Sequence, residues 1–202
     1  MANYKINLNQ INKKVAKSKS FQKKISKKID TLVQKEKQKL IAEFNAHPVT
    51  KEIEAGPTAS NSSGTLGGYG NLFSFIGFRS GSQPVAPLRE LISTVIKTNQ
   101  IAKKIKVKEK GVELRYSVAV PSKSKIKSVT PMPWEGGSWA DNVEVGMSNF
   151  SFYMYKKFGE GRSGWGLQAD HELRMSIFQP KAYISEILNN FNNNLRKSIR
   201  KA

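Results

Sequence analysis

KKIKVKEKGVELRYSVAV, residues 103 to 120, alternates apolar with polar or small side chains on either side of Gly111. Ile105 and Val107 are interleaved with lysines, and Val112, Leu114, Tyr116, Val118 and Val120 follow at every second position. A period of two on both sides of a glycine predicts an antiparallel β-hairpin with one wet, basic face. Because the segments around it have helical spacing, this hairpin makes the expected fold class α+β. The sheet is expected to be flanked by a long basic N-terminal helix and a C-terminal helix.

Upstream, residues 13 to 46 place Phe21, Ile25, Ile29, Leu32, Val33, Leu40 and Phe44 on one stripe of a long helix, which His47-Pro48 should stop. Leu88 to Ile96 reads as a short core helix opened by Pro87. Downstream, residues 121 to 139 carry three prolines, two glycines, Trp134 and Trp139, and read as a projecting aromatic loop. Ser138 and Asp141 form a capping-box pattern for a short helix ending at Gly146. Residues 149 to 158 fit either an alternating strand or a continued helix, with the strand favoured. Residues 180 to 200 carry Ile184, Ile187, Leu188, Phe191, Leu195 and Ile199 on one helical stripe. The expected organisation is a basic helical arm over residues 1–46 and an α+β domain over 47–202. That domain includes a glycine-rich loop at 56–70, the aromatic loop at 121–139 and the closing helix at 180–200.

The 202 residues include 34 Lys and Arg against 15 Asp and Glu, a formal net charge of +19. Such a field attracts polyanions, whether nucleic acid, acidic lipid or an acidic protein face. On the long helix Lys13, Lys14, Lys17, Lys23, Lys24, Lys27 and Lys28 are the candidate polyanion contacts. They are lysines without interleaved aromatics, a pattern suited to phosphates rather than to base edges. A solvated face opposite a packed stripe explains them equally well. Phe21, Ile25 and Ile29 beside lysines also suit an interfacial membrane helix, a third-ranked alternative, and no membrane partner is expected.

Catalytic chemistry has little to work with. Cysteine is absent and the histidines number two, His47 and His171. The stretch SSGTLGGYGNLFSFIGF, residues 62 to 78, lacks the lysine of a phosphate-binding loop, and Phe73 stands where a dinucleotide loop needs its third glycine. Gly159, Gly161 and Gly164 match a second glycine pattern without the surrounding βαβ unit. Adjacent Asp170, His171 and Glu172 cannot easily converge on one ion. Glu52 and Glu54 flank a turn and read as solvated. No enzyme activity, metal or cofactor is expected, and no signal segment is read at the N-terminus.

The order of long helix, Ser63-Gly64-Thr65-Leu66 segment, hairpin, aromatic loop with Glu144-x-Gly146 and closing helix resembles the neck and tail-completion (head–tail joining) proteins of tailed bacteriophages. TPMPWEGGSWADNVEVGMSNFSFYMYK is also similar to a virion-protein signature of large tailed phages. The resemblance implies a structural virion protein, made in the host cytoplasm, that forms a homo-oligomeric ring between the head connector and the tail. Its partners would be further copies of itself, other neck, portal or tail proteins and, non-specifically, DNA. Phe73, Phe75, Phe78, Trp134 and Trp139 are the candidate subunit-interface anchors, each of which could equally pack inside its own subunit. Met147 departs from the family pattern, which has a small polar residue after Glu-x-Gly. The alternative of another class is a sequence-nonspecific nucleic-acid-binding protein.

Overall fold

The structure, a computed structural model, describes residues 8–68, 70–100, 106–108, 111–113, 116–133, 136–147 and 178–201. Helices dominate these residues, which overturns the expectation of a helix-flanked sheet. The helix read over residues 13 to 46 is two helices, α1 (Leu8–Lys17) and α2 (Lys19–Ala46). They are broken at Ser18, whose ψ of 118° is extended. α2 is 28 residues, about 42 Å long at the usual helical rise. It ends where Pro48 forces His47 into an extended conformation, with ψ 134°, and α3 (Pro48–Glu54) starts at that proline.

Next come a 3-10 turn (Gly56–Thr58), α4 (Leu72–Ile76) and α5 (Ala86–Val95). α4 is one short turn with both ends fixed by sequence. Asn71 Oδ1 accepts from Ser74 N at 2.8 Å, and Gly77, at φ 85°, lets Phe78 N donate back to Phe73 O at 3.1 Å.

Where the hairpin is read, the described residues form two short antiparallel ladders. β1 (Lys97–Gln100) pairs antiparallel with β4 (Tyr116–Ala119), and β2 (Lys106–Lys108) with β3 (Gly111–Glu113). Lys97 faces Ala119 and Lys108 faces Gly111. Each ladder is two strands of three or four residues, too narrow to supply a core face. Alternation therefore identified antiparallel pairing but not the element that builds the core. The strand read over 149 to 158 lies outside the described residues.

The aromatic loop is a second correction, since Lys123–Val129 within it is helix α6. Ser122 Oγ caps α6 by accepting from Lys125 N at 3.3 Å. α7 (Trp139–Val145) and α8 (Ile184–Lys201) follow. α8 packs antiparallel along α2. Ser198 Oγ donates to Glu36 Oε1 at 3.0 Å, Asn190 Nδ2 to Glu43 Oε1 at 2.6 Å, and the Tyr183 ring stacks on Phe44 at 6.0 Å.

One core joins these helices. It is built from Val33, Leu40 and Phe44 of α2, Val49 and Ile53 of α3, Leu72, Phe73 and Ile76 of α4, and Leu88 and Ile92 of α5. α7 adds Trp139 and Val143, and α8 adds Ile187 and Phe191 after the preceding Tyr183. All four fully buried residues of α2, Val33, Glu36, Leu40 and Phe44, lie in its C-terminal half. The N-terminal half leaves the body with α1 and the hairpin packed beside it, tied by Ser26 Oγ to the Tyr116 hydroxyl at 3.3 Å and by Thr98 to Asp30.

Candidate interaction surfaces

Three places in this fold are the candidates: the basic arm, the glycine-rich loop, and the junction that starts α8. On the arm, Lys14, Lys17, Lys19, Lys23, Lys24 and Lys27 are all exposed. Among the described residues the ion pairs lie elsewhere: Lys39 with Glu36, Arg89 with Glu54, and Lys123 and Lys127 with Asp141. Between residues 8 and 36 the acidic residues are Asp30 and Glu36, and both are already engaged by hydrogen bonds. Like charges four apart, as at Lys23 and Lys27, destabilise a helix by about 0.2–0.5 kcal/mol per pair. Folding alone gives no reason for the accumulation. Phe21, Ile25 and Ile29 are only half-buried, and Ile29 packs against the edge of the core. Lys13 lies in α1.

In the glycine-rich loop a carboxylate read as solvated turns out to be the organiser. Glu52 is 1% exposed, set on α3 and turned into the loop. Its Oε2 accepts from Ser63 N at 2.7 Å, and its Oε1 accepts from Leu72 N at 2.7 Å and Asn61 Nδ2 at 2.9 Å. Asn61 Oδ1 in turn accepts from Leu66 N at 3.0 Å and Gly68 N at 3.2 Å, while Ser63 Oγ and Thr65 Oγ1 are 2.9 Å apart. The amides a phosphate would need are therefore bonded to side chains of this chain. The sequence carried no signal for this, because Glu52 and Leu72 are 20 residues apart and meet only in the fold.

At the junction the two motifs of the family resemblance meet. Thr65 O accepts from Gln179 N at 2.8 Å, and Val143 O accepts from Lys181 N at 3.0 Å. Glu144 Oε1 accepts from Tyr183 N at 3.3 Å and Ser185 N at 2.7 Å, placing a carboxylate on the otherwise unpaired amides at the start of α8. Ser63-Gly64-Thr65-Leu66 and Glu144-x-Gly146 thus hold one segment, residues 178 to 183, from two directions. Gly146 has φ 108°, and a side chain there would be strained and would also meet Pro180 at 3.5 Å.

Beside the junction is a cleft of about 200 Å³ between α6, α7 and α8, lined by Ile126, Ala140, Ile184 and Leu188, with Lys123, Lys127 and Asp141 at its rim. Lys123 and Lys127 each approach Asp141 to 2.8 Å and hold its carboxyl below the usual range. Asp141 therefore makes only half of the expected capping box. Ser138 Oγ accepts from Asp141 N at 3.2 Å, but the Asp141 carboxylate turns to the lysines.

The expected interface anchors separate. Trp139 is 1% exposed and Phe73 2%, both inside this chain's own core. The Trp139 ring meets Phe78 edge-on at 6.0 Å and Tyr183 at 6.2 Å, so neither Trp139 nor Phe73 is available to a neighbour. Of the two readings left open for Trp139, the structure takes packing inside its own subunit, because α6 folds the loop back. Trp139 N donates to Thr130 O at 2.9 Å, and Thr130 Oγ1 lies 2.6 Å from Ser138 Oγ. Phe75 and Phe78 remain half-buried, Phe75 stacking on Phe178 at 5.6 Å. Trp134, the glycine pattern at 159–164 and the Asp170–Glu172 cluster lie outside the described residues. Among the described residues, no group of three or more His, Cys, Asp or Glu side chains could hold a metal ion, and no helix is long and apolar enough to cross a membrane.

Burial pushes the Tyr183 hydroxyl well above its ordinary pKa, and that hydroxyl lies 2.7 Å from Thr50 Oγ1, a neutral pair inside the core. Burial likewise lowers the pKa of His47, whose Nδ1 accepts from Val49 N at 3.3 Å to cap α3. Both groups serve packing and capping. Comparison with known protein families, with curated proteins and with solved structures finds no match to this chain.

Proposed function

We propose that this chain is a structural subunit of a tailed-bacteriophage virion, placed at the neck as part of a ring that joins the head connector to the tail. The observation that carries this reading is the junction. The two motifs that resemble the head–tail joining family lie about 80 residues apart, yet they converge on the segment that launches α8. A chance pair of short motifs has no reason to share one hydrogen-bonded segment. Besides Met147, a further departure from the family pattern is the sheet, reduced among the described residues to two-stranded ladders. With Phe73 and Trp139 buried at home, the subunit contacts among the described candidates fall to half-buried Phe75 and Phe78. Rings of one subunit close through heterologous contacts between different patches of neighbouring copies.

Electron microscopy of the purified full chain, together with mass spectrometry of phage particles that encode it, tests the proposal. Closed rings in the first and the protein among the virion components in the second are expected. A strictly monomeric chain that is missing from particles overturns it.

A further inference from the structure

We infer that the outer half of α2, with α1 beside it, is a docking surface for double-stranded DNA, held through its phosphates without regard to sequence. The six exposed lysines Lys14, Lys17, Lys19, Lys23, Lys24 and Lys27 have no carboxylate partner among the described residues, and the two acids along the same stretch are engaged elsewhere. The surface continues. Because Ser198 is bonded to Glu36, antiparallel α8 brings its exposed Arg196, Lys197 and Arg200 alongside the middle of α2. From Lys19 to Lys35 the helix rises about 24 Å, roughly the length of seven base pairs. A helix with lysines spread over several turns matches a polymer of evenly spaced phosphates better than it matches a local acidic patch on a protein.

A lipid surface fits less well. Interfacial helices insert an apolar face, and here Phe21, Ile25 and Ile29 are partly covered, leaving Ile11 at 47% and Val15 at 39% as the exposed large apolar side chains among the arm's described residues. Lysine point charges spread over two helices, without a bidentate arginine set, favour backbone contact over base readout.

Neck placement and DNA contact fail separately, since ring formation and presence in particles do not depend on this surface binding anything. The test is fluorescence anisotropy of the full chain with two unrelated 20-base-pair duplexes between 50 and 200 mM salt. Six phosphate contacts give a log–log slope of about −5 and a loss of affinity of roughly 10³-fold over that range, equal for both duplexes. Changing Lys23, Lys24 and Lys27 together to Gln should make the slope shallower by about 2 to 3. Changing Lys51, Lys125 and Lys181, exposed lysines of the body, removes the same charge and should leave the slope nearly intact. Circular dichroism verifies that both variants stay folded. Equal losses in the two variants, a strong preference for one duplex, or binding to phosphatidylserine vesicles but not to DNA each overturn the inference.

Discussion

The two halves of α2 belong to one uninterrupted helix and yet follow opposite rules. The inner half buries Val33, Leu40 and Phe44 against α8 and the body, and most of its charged residues are bonded: Glu36 to Lys39 and Ser198, Lys37 to Ser93 and Ile96, Glu43 to Asn190. In the outer half no residue is fully buried, and the exposed Lys19, Lys23, Lys24 and Lys27 have no carboxylate partner among the described residues. Helix propensity is similar in both, so the difference lies in what packs beside them. Apolar burial stabilises the inner half by roughly 25 cal/mol per Å². The outer half has little burial to offset its self-repulsion, so its composition suits an interaction outside the chain.

If this contrast holds, core truncations should separate the halves most strongly. Trp139→Ala in the body should cost about 3–5 kcal/mol in denaturant unfolding, whereas Ile25→Ala in the arm should cost roughly 1–2 kcal/mol, in keeping with its partial burial. Equal costs would mean that the arm is as integral to the core as the body. A neutral Trp139→Ala would return that residue to the interface.

The Glu52 hub sharpens the comparison inside the body, because there a single carboxylate does what apolar area does elsewhere. Glu52→Ala leaves the Ser63 and Leu72 amides and Asn61 Nδ2 without their acceptor, at about 1–3 kcal/mol for each donor that stays buried. A total loss of about 3 kcal/mol is expected, with faster hydrogen exchange at Ser63 and Leu72 before any change on α8. Unchanged exchange at those two amides would show that the loop holds its shape without the carboxylate.

The smallest effect is on pH. Burial lowers the His47 pKa below its ordinary 6.5, so over the window between the two values the unfolded chain binds the proton more readily. The contribution is fully present above 6.5 and is lost as pH falls through the folded value. Melting temperature should therefore drop modestly from pH 7 to 5, and His47→Gln should flatten that slope. Asp141, whose pKa is lowered from 3.8 chiefly by its lysine hydrogen bonds, acts in a lower window, as pH falls below that value. An unchanged slope in His47→Gln would assign the acid sensitivity to other groups.

Local patterns were legible wherever the determining residues lie close together in the chain. The His47-Pro48 stop, the Ser138 cap, the turn beside Gly111 and the α5 stripe could all be read from spacing and residue type, because each depends on interactions a few residues long. What tertiary structure decided was every pairing across distance. It chose helices rather than a sheet as the source of the core, because a two-stranded hairpin has no broad face to bury and α2 with α8 does. It drew Trp139 inward once α6 had folded its loop. It turned Glu52 from a surface acid into the acceptor for amides up to 20 residues away, and it brought Thr65 and Glu144 onto one segment before α8. A buried polar group takes the partner that completes its hydrogen bonds, and that partner's position in the sequence leaves no local mark.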